Sequence, residues 1–258
     1  MLLQEIYDTE KHAHKAIGIF EYFEGYYIFR SPKFPTYWMG NGIEIQDSTH
    51  RNFADWERLS ERYFDPEKYQ HRTFTFLENP EWAFLKESAK AAGYEVTDTP
   101  LMFASKIPDL PSLANDWKIR QIETPEDFGH FRHFKTKTNP ENEWFANEGF
   151  DKTRVKDAFL NTEWYCITPK NEWEILAAMG IFRHHNMARL QEVDTHPAYR
   201  RRGFASQLLR YLLDRAIRQW GCKGLSLFSD SEAPAVGLYR KMGFEVIGYQ
   251  VELLRTPQ

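Results

Sequence analysis

Cysteine is scarce in this chain: there are two in 258 residues, Cys166 and Cys222. One such pair gives neither a metal-ligand spacing nor a disulfide framework. Cys166 lies in a β-type run and is expected to be a buried thiol, and a reducing, cytoplasmic compartment follows as the expectation. An excess of positive charge is also missing. The 33 Lys and Arg against 37 Asp and Glu leave a net charge of -4, which argues against bulk nucleic-acid binding and confines any basic surface to local clusters. No apolar run approaches the roughly 20 residues of a membrane span. The opening Met-Leu-Leu-Gln-Glu has no basic region followed by a long apolar one, so neither a membrane partner nor a targeting segment is expected. What the chain does have is apolar bulk: 42% hydrophobic and 16% aromatic residues, enough for two cores of medium size.

Hydrophobic periodicity orders the elements. Residues 16–45 are rich in Ile, Phe and Tyr, broken by Gly25, Pro32, Pro35 and Gly40, and predict several strands. Within them Asn41-Gly42 is either a tight hairpin turn or a break in one strand. Residues 53–64 predict a helix, 73–77 a strand, 80–92 a helix closed by Gly93, and 96–105 a further β segment. The stretch 105–115, with Pro108 and Pro111, is the best linker. Beyond it come a strand at 117–123 and a helix whose start carries Thr124 as cap, Pro125 at the first position and the acids Glu126 and Asp127. A second helix at 151–160, strands at 162–167, 173–184 and 187–195, an amphipathic helix at 203–220, a strand at 225–228, a helix from Ser231 to Gly243 and terminal strands complete the order.

Residues 191–221 hold the chemistry. A β-type run ends at Thr195, a basic turn follows with Arg200, Arg201 and Arg202, and a helix opens at Gly203. Backbone N–H groups at a helix start have no internal partner, and the helix dipole favours negative charge there, so this corner is an anion site suited to a pyrophosphate. Gly203 permits close approach to the backbone, and Ala205 keeps the next turn slim. In the preceding run Ala188 and Leu190 share one face, whereas Val193 and Thr195 share the other. That change of parity predicts a β-bulge near Gln191–Glu192. A bulge would splay this strand from its neighbour at 225–228 and open a slot for an extended amide chain.

The spacing of Arg200, Gly203 and Ala205 resembles the acetyl-CoA motif of the GCN5-related N-acetyltransferases: Gln or Arg, two residues, Gly, one residue, Gly or Ala. A second pattern of that family is matched by Ala235, Leu238, Tyr239, Gly243 and Phe244, with Glu232 where Asn is usual. The resemblance covers about residues 116–258. It implies an α/β fold with a mixed sheet, the acyl-CoA N-acyltransferase (GNAT) fold, and acetyl-CoA as acetyl donor with no metal. It further implies that Val193, Asp194 and Thr195 hold the pantetheine arm. The pyrophosphate would rest on Arg201, Arg202, Gly203, Phe204, Ala205 and Ser206 beside Arg200, and Tyr239 would protonate the leaving thiolate. Glu232 puts one expected cofactor contact in doubt.

An internal repeat extends this picture. Gly93-Tyr94-Glu95-Val96 matches Gly243-Phe244-Glu245-Val246, each after a strand and an amphipathic helix. The first copy has no basic turn and no Gly-x-Ala. The expectation is two tandem GNAT-like domains: 1–105 degenerate and without a cofactor site, 106–115 a linker, and 116–258 catalytic.

Acetyl transfer to an amine needs a proton acceptor, an oxyanion donor and an acid for the thiolate. Glu192 beside the bulge is the candidate base and Asp194 the next, and a free backbone N–H at the bulge is the candidate oxyanion donor. His184, His185 and His196 have no such support. The loop at 135–150, with Glu141, Glu143, Trp144 and Phe145, is expected to contribute to the acceptor site. The function expected is acetyl-CoA-dependent N-acetyl transfer to a primary amine of a small molecule. A non-catalytic acyl-CoA-binding or regulatory module, or acetylation of a protein N-terminus or lysine, are the alternatives.

Overall fold

The structure is a computed structural model and describes residues 2–138, 149–229 and 235–256. In chain order the elements are α1 Leu2–Lys15, β1 Ile19–Phe23, β2 Tyr26–Arg30, β3 Gly42–Ile45, α2 Phe53–Tyr63, β4 Arg72–Leu77, α3 Ala83–Ala91 and β5 Glu95–Ala104. They continue as β6 Trp117–Ile122, α4 Pro125–Thr138, α5 Phe150–Leu160, β7 Glu163–Pro169, β8 Ala177–His184 and β9 Met187–Thr195. Then come α6 Phe204–Asp214, β10 Leu225–Phe228, α7 Ala235–Lys241 and β11 Glu245–Arg255. From β6 onward this is the order that periodicity predicts. The helix after Gly203 ends its α-helical part at Asp214 and passes into a π turn at Arg215–Gln219, where the Trp220 N–H reaches the Arg215 carbonyl at 3.0 Å.

Two compact units divide the chain, and neither is continuous in sequence. One is built from the described residues of Ala13–Leu101, Phe228–Glu232 and Val246–Gln258, the other from those of Met1–His12, Met102–Leu227 and Ala233–Glu245. This differs from a simple cut at a linker: the last strand of the second half joins the sheet of the first, and the N-terminal helix joins the second.

In the first unit the strand order is β1-β2-β3-β4-β11-β5, with residues 95–101 of β5 at its end. β3 and β4 run parallel, with Ile43 opposite Phe74, while β11 runs antiparallel to β4, with Val251 opposite Phe76. The inward residues are apolar at period two, as a half-covered sheet requires. Ile28, Ile43, Phe74, Phe76, Val251 and Leu253 pack with Phe53 and Trp56 of α2 and Leu85 of α3. Asn41 settles the ambiguity at Asn41-Gly42. It is extended rather than turned, and its buried side chain accepts from the Ser31 N–H at 2.7 Å and donates to the carbonyls of Phe34 and Tyr37 at 2.9 and 2.8 Å. It is a polar staple for the loop before β3, not a hairpin.

In the second unit the order is β5-β10-β9-β8-β7-β6, with residues 102–104 of β5. There β9 and β10 run parallel, and β6 to β9 are antiparallel neighbours. Phe131 and Phe134 of α4, Phe150 of α5 and Trp164 and Cys166 of β7 form one core cluster. α6 buries Phe204, Leu208, Leu209, Leu212 and Leu213 along its stripe.

The internal repeat has a structural counterpart at the ends of α3 and α7. Gly93 and Gly243 take φ of 81° and 83°. The N–H of Tyr94 bonds the Ala89 carbonyl, and that of Phe244 bonds the Tyr239 carbonyl, both at 3.0 Å. The two helices end in the same hydrogen-bond pattern, with glycine supplying the left-handed residue.

Gly224 and Gly93 need glycine for different reasons, and that difference is measurable. A Cβ at Gly224 would lie 2.3 Å from the Ala104 carbonyl oxygen and 2.6 Å from the Phe103 ring, whereas one at Gly93 would meet nothing within 4 Å. Gly224→Ala is expected to cost about 3 kcal/mol or more by forcing backbone apart, and Gly93→Ala only the left-handed strain of about 1–2 kcal/mol. Urea unfolding of both variants checks this; equal losses would contradict it.

Candidate functional site

The site begins with a break in strand register. Along the β8–β9 pair Gly180 lies opposite Gln191 and Ala178 opposite Asp194, so Glu192 and Val193 together face the single residue Met179. This is a β-bulge, and Glu192 takes a left-handed φ of 47° within it. On its other side β9 has a short parallel ladder with β10, joining Ala188 to Leu225 and Arg189 to Ser226. Val193, Asp194 and Thr195 lie beyond that ladder, at the end of β9 that leads into the basic turn.

The turn itself is held from within. Residues Pro197–Tyr199 form a 3-10 turn in which His196 accepts from the Ala198 N–H at 3.2 Å. The Arg200 side chain donates back to the Thr195 carbonyl at 3.4 Å. Arg201 and Gly203 both have positive φ, 66° and 83°, on either side of Arg202. Such alternation turns backbone N–H groups toward one side, as in anion-binding nests. It delivers the chain to the start of α6, whose first N–H groups have no acceptor within the helix; the Gln207 N–H is bonded to the Gly203 carbonyl at 3.1 Å. Arg200, Arg201, Arg202 and Gly203 are exposed, Ala205 and Ser206 half-buried. A Cβ at Gly203 would meet nothing within 4 Å, so the backbone there is open to a ligand. Phe204 anchors the corner, buried edge-on to Trp117 at 5.1 Å.

Beside the bulge lies a cluster of charges that sequence reasoning missed in part. Lys135 of α4 is almost fully buried and donates to Glu192 Oε2 at 2.8 Å and to Asp194 Oδ2. The Thr153 hydroxyl donates to Glu192 Oε1 at 3.3 Å. Burial alone would discharge Lys135, but Glu192 and Asp194 outweigh it and hold its pKa above the usual lysine range. Burial also opposes the Glu192 charge, yet Lys135 keeps that carboxyl below the usual carboxylate range. Asp194 shares the same ammonium, and burial pushes it up instead. Lys135 was legible in hindsight: it stands four residues after Phe131 and seven after Phe128, on the buried stripe of α4, where a lysine needs a partner.

Two more lysines of α5 face this cluster. Lys152 is buried, and its pKa is pushed down to about 7 by burial first and by Lys156 next, with Glu192 opposing. Lys156 is pushed down by burial and by Arg189. Asp157 is pushed up to about 6 by burial, although it accepts from Trp164 Nε1 at 2.7 Å. Tyr239 of α7 is buried and its phenol is pushed up to about 12 by burial and then by the Asp194 charge, so it keeps its proton at neutral pH. Tyr239, Glu192, Asp194 and the basic turn thus all lie in one compact unit.

Other candidates fall elsewhere. His184 pairs with Met187 at the opposite end of β9 from the bulge, and His185 is in the turn between β8 and β9. His196 caps its own turn. Glu232, Glu141, Glu143, Trp144 and Phe145 lie outside the described residues, and no group of acids, histidines and cysteines suited to a metal occurs among the described ones.

The buried Lys152 has a consequence for stability. Its folded pKa lies below the unfolded value of 10.5, so between about 7 and 10.5 the unfolded chain binds more protons and stability rises with pH from this group. Lys152→Met is therefore expected to raise the urea midpoint at pH 7, with the gain shrinking as pH approaches 10. A lower midpoint at pH 7 would contradict the assignment.

Comparison with known proteins agrees with this geometry. The family model described as Acetyltransferase (GNAT) family matches residues 121–244. A functionally unknown conserved protein of Staphylococcus epidermidis shares the fold with a TM-score of 0.74 at 14% identity, over 93% of this chain and 95% of its own. A GCN5-related N-acetyltransferase from Kribbella flavida gives 0.69 at 14% identity, over 98% and 95%. A tandem GNAT protein from the clavulanic acid biosynthesis pathway gives 0.58 at 11% identity, over 84% and 76%. No curated protein sequence matches. The bulge, the basic turn and the helix start all lie inside the stretch that the family model covers, and over residues 121–244 this chain matches the GNAT family of acetyltransferases.

Proposed function

We propose that this protein is an acetyl-CoA-dependent N-acetyltransferase acting on a primary amine of a small molecule. The observation that carries the reading is the continuity of the bulge at Glu192–Val193 with the left-handed turn at Arg201 and Gly203. Residues 193–195 would bond the pantetheine amides, and the N–H groups of residues 201–206, with Arg200, Arg201 and Arg202, would take the pyrophosphate.

In the reaction the amine nitrogen attacks the thioester carbonyl. The C–N bond forms, the C–S bond breaks, and the electron pair leaves on sulfur. Tyr239 would protonate the thiolate; its raised pKa keeps the phenol protonated until then. Glu192 would accept the ammonium proton, directly or through water, with Asp194 beside it. Lys135 keeps Glu192 ionised, and therefore able to accept, although it also weakens its basicity. A bulge N–H would stabilise the oxyanion.

The first half, residues 1–105, would then be a degenerate copy without a cofactor site, joined through residues 106–115 to a catalytic half at 116–258. Three features support this. The β2–β3 register runs unbroken from Tyr26–Ile45 to Phe29–Gly42, with no bulge. The N-terminus of α2 carries its own capping box, Asn52 with Asp55, which occupies two of the N–H groups at that helix start. The residue equivalent to Tyr239 in the repeat is Ala89. The free, buried Cys166 and Cys222 suit a cytoplasmic setting, and among the described residues no helix is long and apolar enough to cross a membrane.

The test is turnover. Acetyl-CoA should be consumed with some member of a broad amine panel. Tyr239→Phe should lose about 10²-fold or more in kcat while its thermal midpoint stays near that of the parent. Acetyl-CoA binding without acetylation of any amine would sink the reading.

A further inference from the structure

The inward face of the first unit's sheet ends in two arginines. Along β4 the core row is Phe76, Phe74 and then Arg72; along β11 it is Val251, Leu253 and then Arg255. The register sets Arg255 directly opposite Arg72. Like charges on opposite rungs repel, so the pair needs counter-charge. Helix α2 supplies it from positions one turn apart: Glu57 Oε1 lies 3.1 Å from Arg255 Nη1, and Glu61 Oε1 lies 3.5 Å from Arg72 Nη2. The two pairs are unequal. Glu57 also accepts from the Tyr94 hydroxyl at 3.1 Å, and the Arg255 guanidinium lies over the Tyr94 ring at 4.6 Å. The Glu61 side chain is 60% exposed against 19% for Arg72, so that contact is a weak surface pair. Arg72 Nη1 is buried and has no hydrogen-bond partner among the described residues.

Beside these arginines the structure has open space. A cavity of about 580 Å³ is lined by Gln70, Arg72, Gly93, Glu95, Arg255 and Thr256 among others, all within the first unit. That volume suits a small ligand. A Cβ at Gly93 would meet nothing within 4 Å. Glu95 is exposed, where water screens its charge. The repeat motif Gly93-Tyr94-Glu95-Val96 thus borders the cavity, and it differs from its second copy only in the Tyr94 hydroxyl, where that copy has Phe244. The hydroxyl is the group that fixes Glu57 beside Arg255.

We infer that this cavity binds a phosphate group, free or carried by a small molecule, with Arg72 and Arg255 as its donors and Gln70 and Thr256 beside them. A guanidinium presents a fork of N–H groups that matches phosphate oxygens, and two forks on opposite rungs suit a tetrahedral anion better than a planar carboxylate. A phosphate between them offsets the repulsion across the rungs and offers Arg72 the acceptor it lacks. The site is independent of acetyl transfer. It belongs to the unit that the proposed function leaves without a cofactor, and it stands whether or not that function does.

The experiment titrates the full chain with inorganic phosphate, glycerol 3-phosphate, acetate and sodium chloride at matched ionic strength. Nitrogen–proton NMR follows the Nε–H signals of Arg72 and Arg255 and the backbone N–H signals of Gly93 and Thr256. The expected result is a saturable shift of these signals with inorganic phosphate or glycerol 3-phosphate, and none with acetate or chloride. Whichever of the two phosphates binds tighter shows whether the free ion or an ester is the natural form. Arg72→Met should weaken the binding about tenfold or more. It is expected to fold, since the carboxylate it leaves behind, Glu61, is exposed. Thr256→Trp fills the cavity from its exposed end with both arginines intact, and it should abolish the shifts while the thermal midpoint stays near that of the parent; it decides the matter even if Arg72→Met does not fold. No saturable shift at these signals, equal binding of acetate, phosphate shifts confined to the turn at Arg200–Arg202, or binding that survives Thr256→Trp would each overturn the inference.

Discussion

The Lys135 ammonium, held between Glu192 and Asp194, is the interaction on which the site depends. Glu192 is a non-glycine residue in the left-handed region, a conformation that costs about 1–3 kcal/mol and persists only where its surroundings fix it. A buried lysine bonded to the residue on the bulge and to the residue two further on supplies that fixation. Removing one member of such a buried set costs about 3–5 kcal/mol, because the other charges are left without compensation. The ion pair therefore does two things at once. It ties α4 to β9, and it stabilises the extra residue that turns the end of β9 toward the basic turn.

Everything downstream follows from that turning. The bulge reverses which face of β9 carries Val193 and Thr195, the strand runs on past its short ladder with β10, and the chain enters a turn with two left-handed residues before α6. In the first unit the same order of elements lacks each of these steps. β2 and β3 stay in register, α2 caps itself with Asn52 and Asp55, and Ala89 accepts the bond that closes α3 where Tyr239 accepts the one that closes α7. These differences between the two units are what the proposed function rests on when it puts the chemistry in the second.

Local physics made much of this legible in the sequence. The stripe of α6, the capped start of α4 at Thr124 and Pro125, the glycines at 93 and 243, and the parity switch after Leu190 each have a period or a residue type that only one local structure satisfies. The bulge falls at Glu192–Val193, one residue from its expected place. What escaped is non-local. Helix α1 has its buried Ile6 and Tyr7 amid charged residues, and it is secured by pairs to distant residues, Glu5 with Lys223 and Glu10 with Arg189. The entry of β11 into the sheet of the first unit is set by strand pairing, which alternation along one strand does not encode. Asn41 works through three backbone partners in a loop, and the roles of Lys152 and Lys156 exist only once α5 is laid beside the bulge.

The proposed function calls for a single acetyl-CoA site per chain, in the unit that holds the bulge and the basic turn. Its most direct test is the stoichiometry of acetyl-CoA binding to the full chain, measured by isothermal titration calorimetry. One molecule per chain is expected; two per chain, or none, would contradict the proposed function.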